Sequence, residues 1–196
     1  MLIHLRRAVV LAIALVVLTF VYALAGTGVA QAFFSHQANG SLTANGSTLI
    51  GQNWSSPRWF HGRPDDTGPY ATSKTQPGGD NPLEANGVSG SSGASNLGPR
   101  SQTLLDNTKQ LVAYWHSMGV VPTPDLVTTS GSGYDPDISP ADATAEIPMV
   151  ARATGIAPAR LQQLIKEQTH SAQWGFLGSD YITVLQLNEA LAALQR

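Results

Sequence analysis

Apolar side chains run almost unbroken through residues 8–25 (AVVLAIALVVLTFVYALA), and the pattern then breaks into short polar and Gly-rich stretches. A helix of that length spans roughly 27 Å at about 1.5 Å per residue, close to the hydrocarbon thickness of a bilayer. It also satisfies its own backbone polar groups, as lipid demands. Arg6 and Arg7 precede the run, and no Lys or Arg follows it until Arg58. Basic residues stay on the cytoplasmic side. The pattern therefore predicts a cytoplasmic N-terminus at 1–7, a transmembrane helix at 8–26 and an extracytoplasmic domain at 27–196. The location is the cell membrane, single-pass, with lipid around the span. Ala23-Leu24-Ala25 and Ala30-Gln31-Ala32 each fit a signal-peptidase site. A cleavable signal has a shorter apolar core, of about 7–15 residues, so a retained anchor is expected.

Past the anchor, residues 31–46 form a polar exit segment, with Phe33 and Phe34 suited to a membrane interface. Residues 47–54 (STLIGQNW) are a short strand candidate. Residues 57–100 are rich in Gly, Pro, Ser and Asn and carry no helical period, so they predict a long functional or docking loop. Ser101 then caps a helix to about Met118, with Leu104, Leu105, Leu111, Val112 and Trp115 on one face, and Gly119 ends it. Residues 125–129 (DLVTT) predict a buried strand and residues 130–139 a tight connection. Ser139-Pro140 opens a helix that Pro148 is expected to interrupt and Gly155 to close. Pro158 starts another, to about Thr169, with Leu161, Leu164 and Ile165 inward. Residues 181–184 predict a short strand. The last helix places Val184, Leu187, Leu191 and Leu194 on one stripe. The order predicts an α+β fold: one N-terminal transmembrane helix, then a single domain with few short strands.

Charge narrows the function. The net charge is −2, and charged residues are 12% of the chain, against about a quarter in an average protein. No basic patch is visible, so nucleic acid is not an expected partner. With no cysteine, the outer domain has neither disulfides nor thiolate metal ligands and relies on burial or on a covering partner.

The motifs that carry chemistry are sparse. Asp125, Asp135, Asp137 and Glu146 are the densest acidic group, and a hard cation would want such oxygens. They lack the ligand spacing of an EF-hand, and Asp-Pro with Asp-Ile-Ser-Pro is ordinary turn and cap chemistry. Gly131-Ser132-Gly133 lacks the Lys-Ser/Thr of a phosphate loop. His61, His116 and His170 form no metal pair at helical spacing. His61 and Arg63, in FHGRP, could hold an anion or a carboxylate. The serines at 89, 91, 92 and 95 form no nucleophile elbow. Three Asn-x-Ser sequons, at Asn39, Asn45 and Asn53, sit in Asn-Gly-Ser-rich sequence. No catalytic residue and no metal site is expected. An anchored or secreted hydrolase, or a solute-binding module, is the competing reading.

Read together, the segments resemble one family: the C subunit of the bacterial Kdp potassium-transporting ATPase. The stretches that carry the resemblance are QANGSL (37–42), LIGQNW (49–54), WFHGRP (59–64), GASNLGP (93–99), LVTTSGSGYDPDISP (126–140), IPMVARATG (147–155), GFLG (175–178) and VLQLNEAL (184–191). The resemblance implies an accessory subunit of an ATP-driven potassium uptake complex that stabilises assembly and raises the ATPase subunit's affinity for ATP. It implies three partners: a channel-like potassium-translocating subunit, a P-type ATPase subunit and a small Kdp subunit. Any ATP association is implied by the resemblance alone. Two positions depart from the family: Glu146 stands where Gln is usual, and Ser179-Asp180 where Glu-Pro is usual. The expected partner interface comprises His61, Arg63, Asn96, Asp135 and Asp137, with Arg63 pairing across it to the potassium-translocating subunit.

Overall fold

A computed structural model describes residues 2–64 and 94–195. Residues 65–93, which hold most of the expected long loop and the serines at 89, 91 and 92, lie outside the described residues. The chain divides into two compact units, residues 1–42 and 43–196.

The first unit is a helix, α1 (Leu2–Phe33), followed by one turn, α2 (Ser35–Ala38). No side chain of α1 is buried, so its apolar surface faces whatever surrounds the helix. Its 32 residues extend past both ends of the apolar run, and the first residues of the expected exit segment are helical. Thr19 and Thr27 return their hydroxyls to the carbonyls of Leu15 and Ala23, both at 2.9 Å, which leaves neither polar group open to lipid. Leu15→Arg near mid-span is expected to cost about 3 kcal/mol of insertion free energy. Membrane-fraction yield checks it, and an undiminished yield would count against the span.

Among the described residues, the second unit holds four α-helices: α3 (Gln102–Ser117), α4 (Pro140–Thr154), α5 (Pro158–Gln168) and α6 (Val184–Leu194). A two-stranded antiparallel ladder pairs β1 (Asp137–Ile138) with β2 (Ile182–Thr183), Asp137 opposite Thr183 and Ile138 opposite Ile182. The class is α+β, mostly helical. The core joins Leu111 and Trp115 of α3, Ile147 and Val150 of α4, Leu161 and Ile165 of α5, Ile182, and Leu187 and Leu191 of α6. Phe60 enters it from the preceding segment.

Four local expectations fail for identifiable reasons. Residues 125–129 are not a strand. Pro124 is already in the right-handed helical region, and Asp125–Val127 wind into a 3-10 turn that buries Leu126 and Val127. Pro148 does not interrupt α4. It removes one helical N–H, but Ala143, Ile147 and Val150 are buried along the same face. At roughly 1.5–3 kcal/mol per large side chain, that burial outweighs one lost bond. The helix is also fixed at both ends, by a Ser139–Asp142 capping box and by Gly155 at φ 76°. Residues 47–54 form no strand; Gly51 instead passes close to the backbone of residues 134–135. Its N–H donates to the Tyr134 carbonyl at 2.9 Å, and a Cβ there would lie 2.6 Å from the Asp135 carbonyl oxygen. Finally, the connection at 130–139 is not wholly irregular, because it ends in β1.

Candidate functional site: an acidic cleft over a buried histidine pillar

Two layers build the site. The lower one is the segment Phe60-His61, held in the core from both sides. The Asn188 amide clasps the backbone of Phe60: its Oδ1 accepts from the Phe60 N–H at 2.9 Å and its Nδ2 donates to the Phe60 carbonyl at 2.8 Å. Next to it, the Glu146 carboxylate accepts from the His61 backbone N–H at 3.1 Å. Its Oε2 also stands 2.6 Å from His61 Nδ1. Both side chains are sealed, at 1% and 0% exposure. The His61 ring meets Trp115 edge to face, centroids 5.2 Å apart. The Trp115 indole N–H donates to the Leu126 carbonyl at 2.9 Å, tying the pillar to the 3-10 turn. Burial pushes the Glu146 carboxyl up, and the neighbouring His61 opposes that shift.

His61, expected at a partner interface, is here enclosed by Glu146 and Trp115 with 1% of its side chain exposed. Glu146 likewise does not join the other acidic residues, because its carboxylate is turned into the core.

The upper layer is an open cleft of about 860 Å³, lined by Arg63, Asp125, Asp135, Asp137, Asp180 and residues of the 170–181 segment. Arg63 lies two residues past His61 and turns outward. Its guanidinium reaches Asp135 at 3.4 Å and Asp125 at 4.0 Å. It also donates to the carbonyls of Thr128 and Thr129, at 3.5 and 3.4 Å. So Arg63 already has partners in its own domain. The Asp135 carboxylate accepts from the Asp137 N–H at 3.1 Å, an Asx turn that starts β1. The Thr183 hydroxyl donates to Asp137 across the ladder at 2.8 Å. Burial raises the Asp137 carboxyl; the Thr183 bond offsets part of this, Asp135 adds to it, and His170 opposes it. On the far wall, His170 and Tyr181 exchange two backbone hydrogen bonds and stack their rings at 5.1 Å.

The structure brings Arg63, Asp135 and Asp137 together in one cleft. Asn96 does not line the cleft. It is exposed at φ 53°, a left-handed conformation Asn tolerates, and it donates to the Ala94 carbonyl at 3.0 Å. Sequence reasoning missed Asn188, Thr183 and the pairing of Glu146 with His61. Only the last left a signal, Glu146 just before Ile147-Pro148, where the family resemblance implies Gln. Among the described residues, no group of three or more His, Asp or Glu could hold a metal ion.

These features define a class: a small α+β domain carried on a chain with one long apolar helix, presenting an acidic cleft fixed by its own loops. The family model for "K+-transporting ATPase, c chain" matches residues 5–193. Proteins named "Potassium-transporting ATPase KdpC subunit" are similar over nearly their whole length. The one from Sorangium cellulosum is 41% identical, covering 97% of this chain and 98% of that protein. That of Methylorubrum populi is 44% identical over 100% of both. That of Caulobacter vibrioides is 44% identical, over 98% of this chain and 94% of its own length. The chain belongs to the KdpC family, a subunit of the potassium-transporting ATPase. The hydrolase and solute-binding alternatives find no support in these likenesses.

Proposed function

We propose that the chain is a non-catalytic accessory subunit, its N-terminus cytoplasmic and its α+β domain outside the cell membrane, docked on the potassium-translocating subunit of the complex. Assembly then extends to the P-type ATPase subunit and the small Kdp subunit. One observation carries this reading. Each aspartate of the cleft is engaged in holding a loop: Asp125 and Asp135 with Arg63, Asp137 with Thr183, and Asp180 with the Ala172 N–H at 3.0 Å. Side chains fixed in this way make a rigid, preorganised polar surface, which suits docking because little order remains to be imposed on binding. Asp135, Asp137 and the exposed Asn96 supply contacts, Arg63 sets the shape of the cleft, and His61 supports it from beneath. With the domain outside, any effect on ATP affinity passes through assembly and needs no nucleotide contact by this domain.

Arg63→Ala in the full-length chain tests it. The side chain is 25% exposed and its bonds are long, so the loss in stability is expected at only about 1 kcal/mol. Recovery of the subunit with the complex from detergent is expected to fall much further, because the cleft loses its shape. A variant that melts lower yet co-purifies in full would end the docking reading.

A further inference from the structure

Beside the cleft, residues 173–178 (QWGFLG) make a tight loop that points its apolar side chains outward. Trp174 is 77% exposed and Phe176 73%, with their rings 6.5 Å apart. Isolated exposed apolar residues are ordinary, but two large aromatics side by side on one loop tip are not.

The loop is built, not loose. Gln173 and Leu177 form an antiparallel bridge, and the Leu177 carbonyl accepts from the Gln173 N–H at 2.9 Å. The Gly175 N–H donates to the Ala172 carbonyl at 2.9 Å. Asp180 closes the base through the Ala172 N–H. Trp174 sits at φ 54°, in the left-handed region that is costly for a bulky side chain. Gly175 and Gly178 follow at φ 79° and 83°. A bulky residue kept in a strained conformation with its ring in solvent gains nothing within its own domain. Such strain concentrates where a ligand or partner is gripped.

We infer that this loop is a prong that inserts Trp174 and Phe176 into an apolar socket of a partner subunit whose rim carries Lys or Arg side chains. The inference rests on the assembly reading above. The rim chemistry follows from the cleft, because Gln173, Leu177 and Gly178 belong both to the loop and to the cleft wall, with Asp180 just beyond them. Four aspartates stand in that wall against one arginine, so the ground beside the prong is acidic. An anionic lipid surface would be repelled there, and a basic rim attracted. Aromatic side chains in a desolvated pocket, ringed by charge pairs, are the usual anatomy of a binding hot spot.

The test uses the whole complex, captured through a tag on the ATPase subunit, with retention of this chain measured by quantitative mass spectrometry. The double variant Trp174→Ala, Phe176→Ala is expected to reduce retention at least tenfold. Trp174→Gly separates docking from folding, since glycine accepts φ 54° without strain. It is expected to melt no lower than the native chain while retention still falls. Because the chain has no cysteine, Ser179→Cys takes a single environment-sensitive fluorophore beside the prong. With the chain alone in phosphatidylglycerol vesicles, its emission is expected to be water-like, and in the complex to shift to the blue. Native retention by the double variant, with the native chain itself retained, overturns the prong alone. A blue shift in vesicles alone overturns it in favour of lipid. A native chain that is not retained removes the assembly reading and the prong with it.

Discussion

Glu146→Ala is expected to destabilise the domain by about 3–5 kcal/mol, the cost of breaking a buried pair by removing one partner. The substitution strands the His61 backbone N–H and ring in a place water does not reach. His61 Nε2 already lacks a partner among the described residues, so the ring would lose its remaining anchor. Glu146→Gln separates charge from hydrogen bonding, because its amide oxygen still accepts from His61. The pH dependence has a definite sign. Burial raises the carboxyl pKa values of Glu146, Asp142 and Asp137 in the folded state. These groups hold protons more tightly folded than unfolded. The stability they bring is complete below the unfolded carboxyl range, near about 4, and is lost as pH rises through the raised folded values. The melting temperature is expected to fall as pH climbs from about 4 toward neutrality, and less steeply in Glu146→Gln. Thermal melts across that range check both points. An equally stable Glu146→Ala would show that the pair does not hold the segment, and a melting temperature that rises with pH over this interval would show that the folded state favours the ionised carboxylates.

Trp115→Ala is the second large effect, at about 3–5 kcal/mol. Trp115 is 0% exposed, touches both His61 and Tyr114 edge to face, and bonds the Leu126 carbonyl. Removing it empties the largest space in the core and releases the 3-10 turn at once. Trp115→Phe refills most of the volume but leaves that carbonyl unpaired, so a smaller loss, about 1–3 kcal/mol, is expected. Chemical denaturation of the two variants separates the parts. If both lost the same amount, the indole bond would be the main contribution and the packing a minor one.

Helices with caps and one apolar face were legible in the sequence. Ser101, Ser139-Pro140 and Gly155 stand at the ends where local chemistry puts them, because a cap depends on residues three or four positions away. The two strand readings at 47–54 and 125–129 failed for the opposite reason. An apolar run shows that a segment is buried, not which backbone buries it, and pairing depends on a neighbour that local sequence does not contain. The site divides the same way. Arg63, Asp135 and Asp137 stood out as charged residues in turn-forming sequence. Asn188 lies inside an ordinary amphipathic helix, and nothing within ten residues marks it as the clasp of Phe60. Glu146 was visible as an acid out of place, but its partner is 85 positions away. Leu105, read onto the buried face of α3, is 48% exposed, because the stripe of α3 facing the core is narrower than the apolar pattern.

The Asn188 clasp also sets an order of events. Phe60 and Asn188 are 128 positions apart, and a contact of that span forms late, since so much chain entropy is lost before it forms. Chains are made from the N-terminus, at roughly 5–20 residues per second. The segment carrying Phe60 and His61 is therefore synthesised many seconds before α6 exists to hold it. Until then its aromatic ring has no finished core to enter, and the surface above it has no fixed shape. Completion of α6 is the step that supplies Asn188 and lets the core close over Phe60.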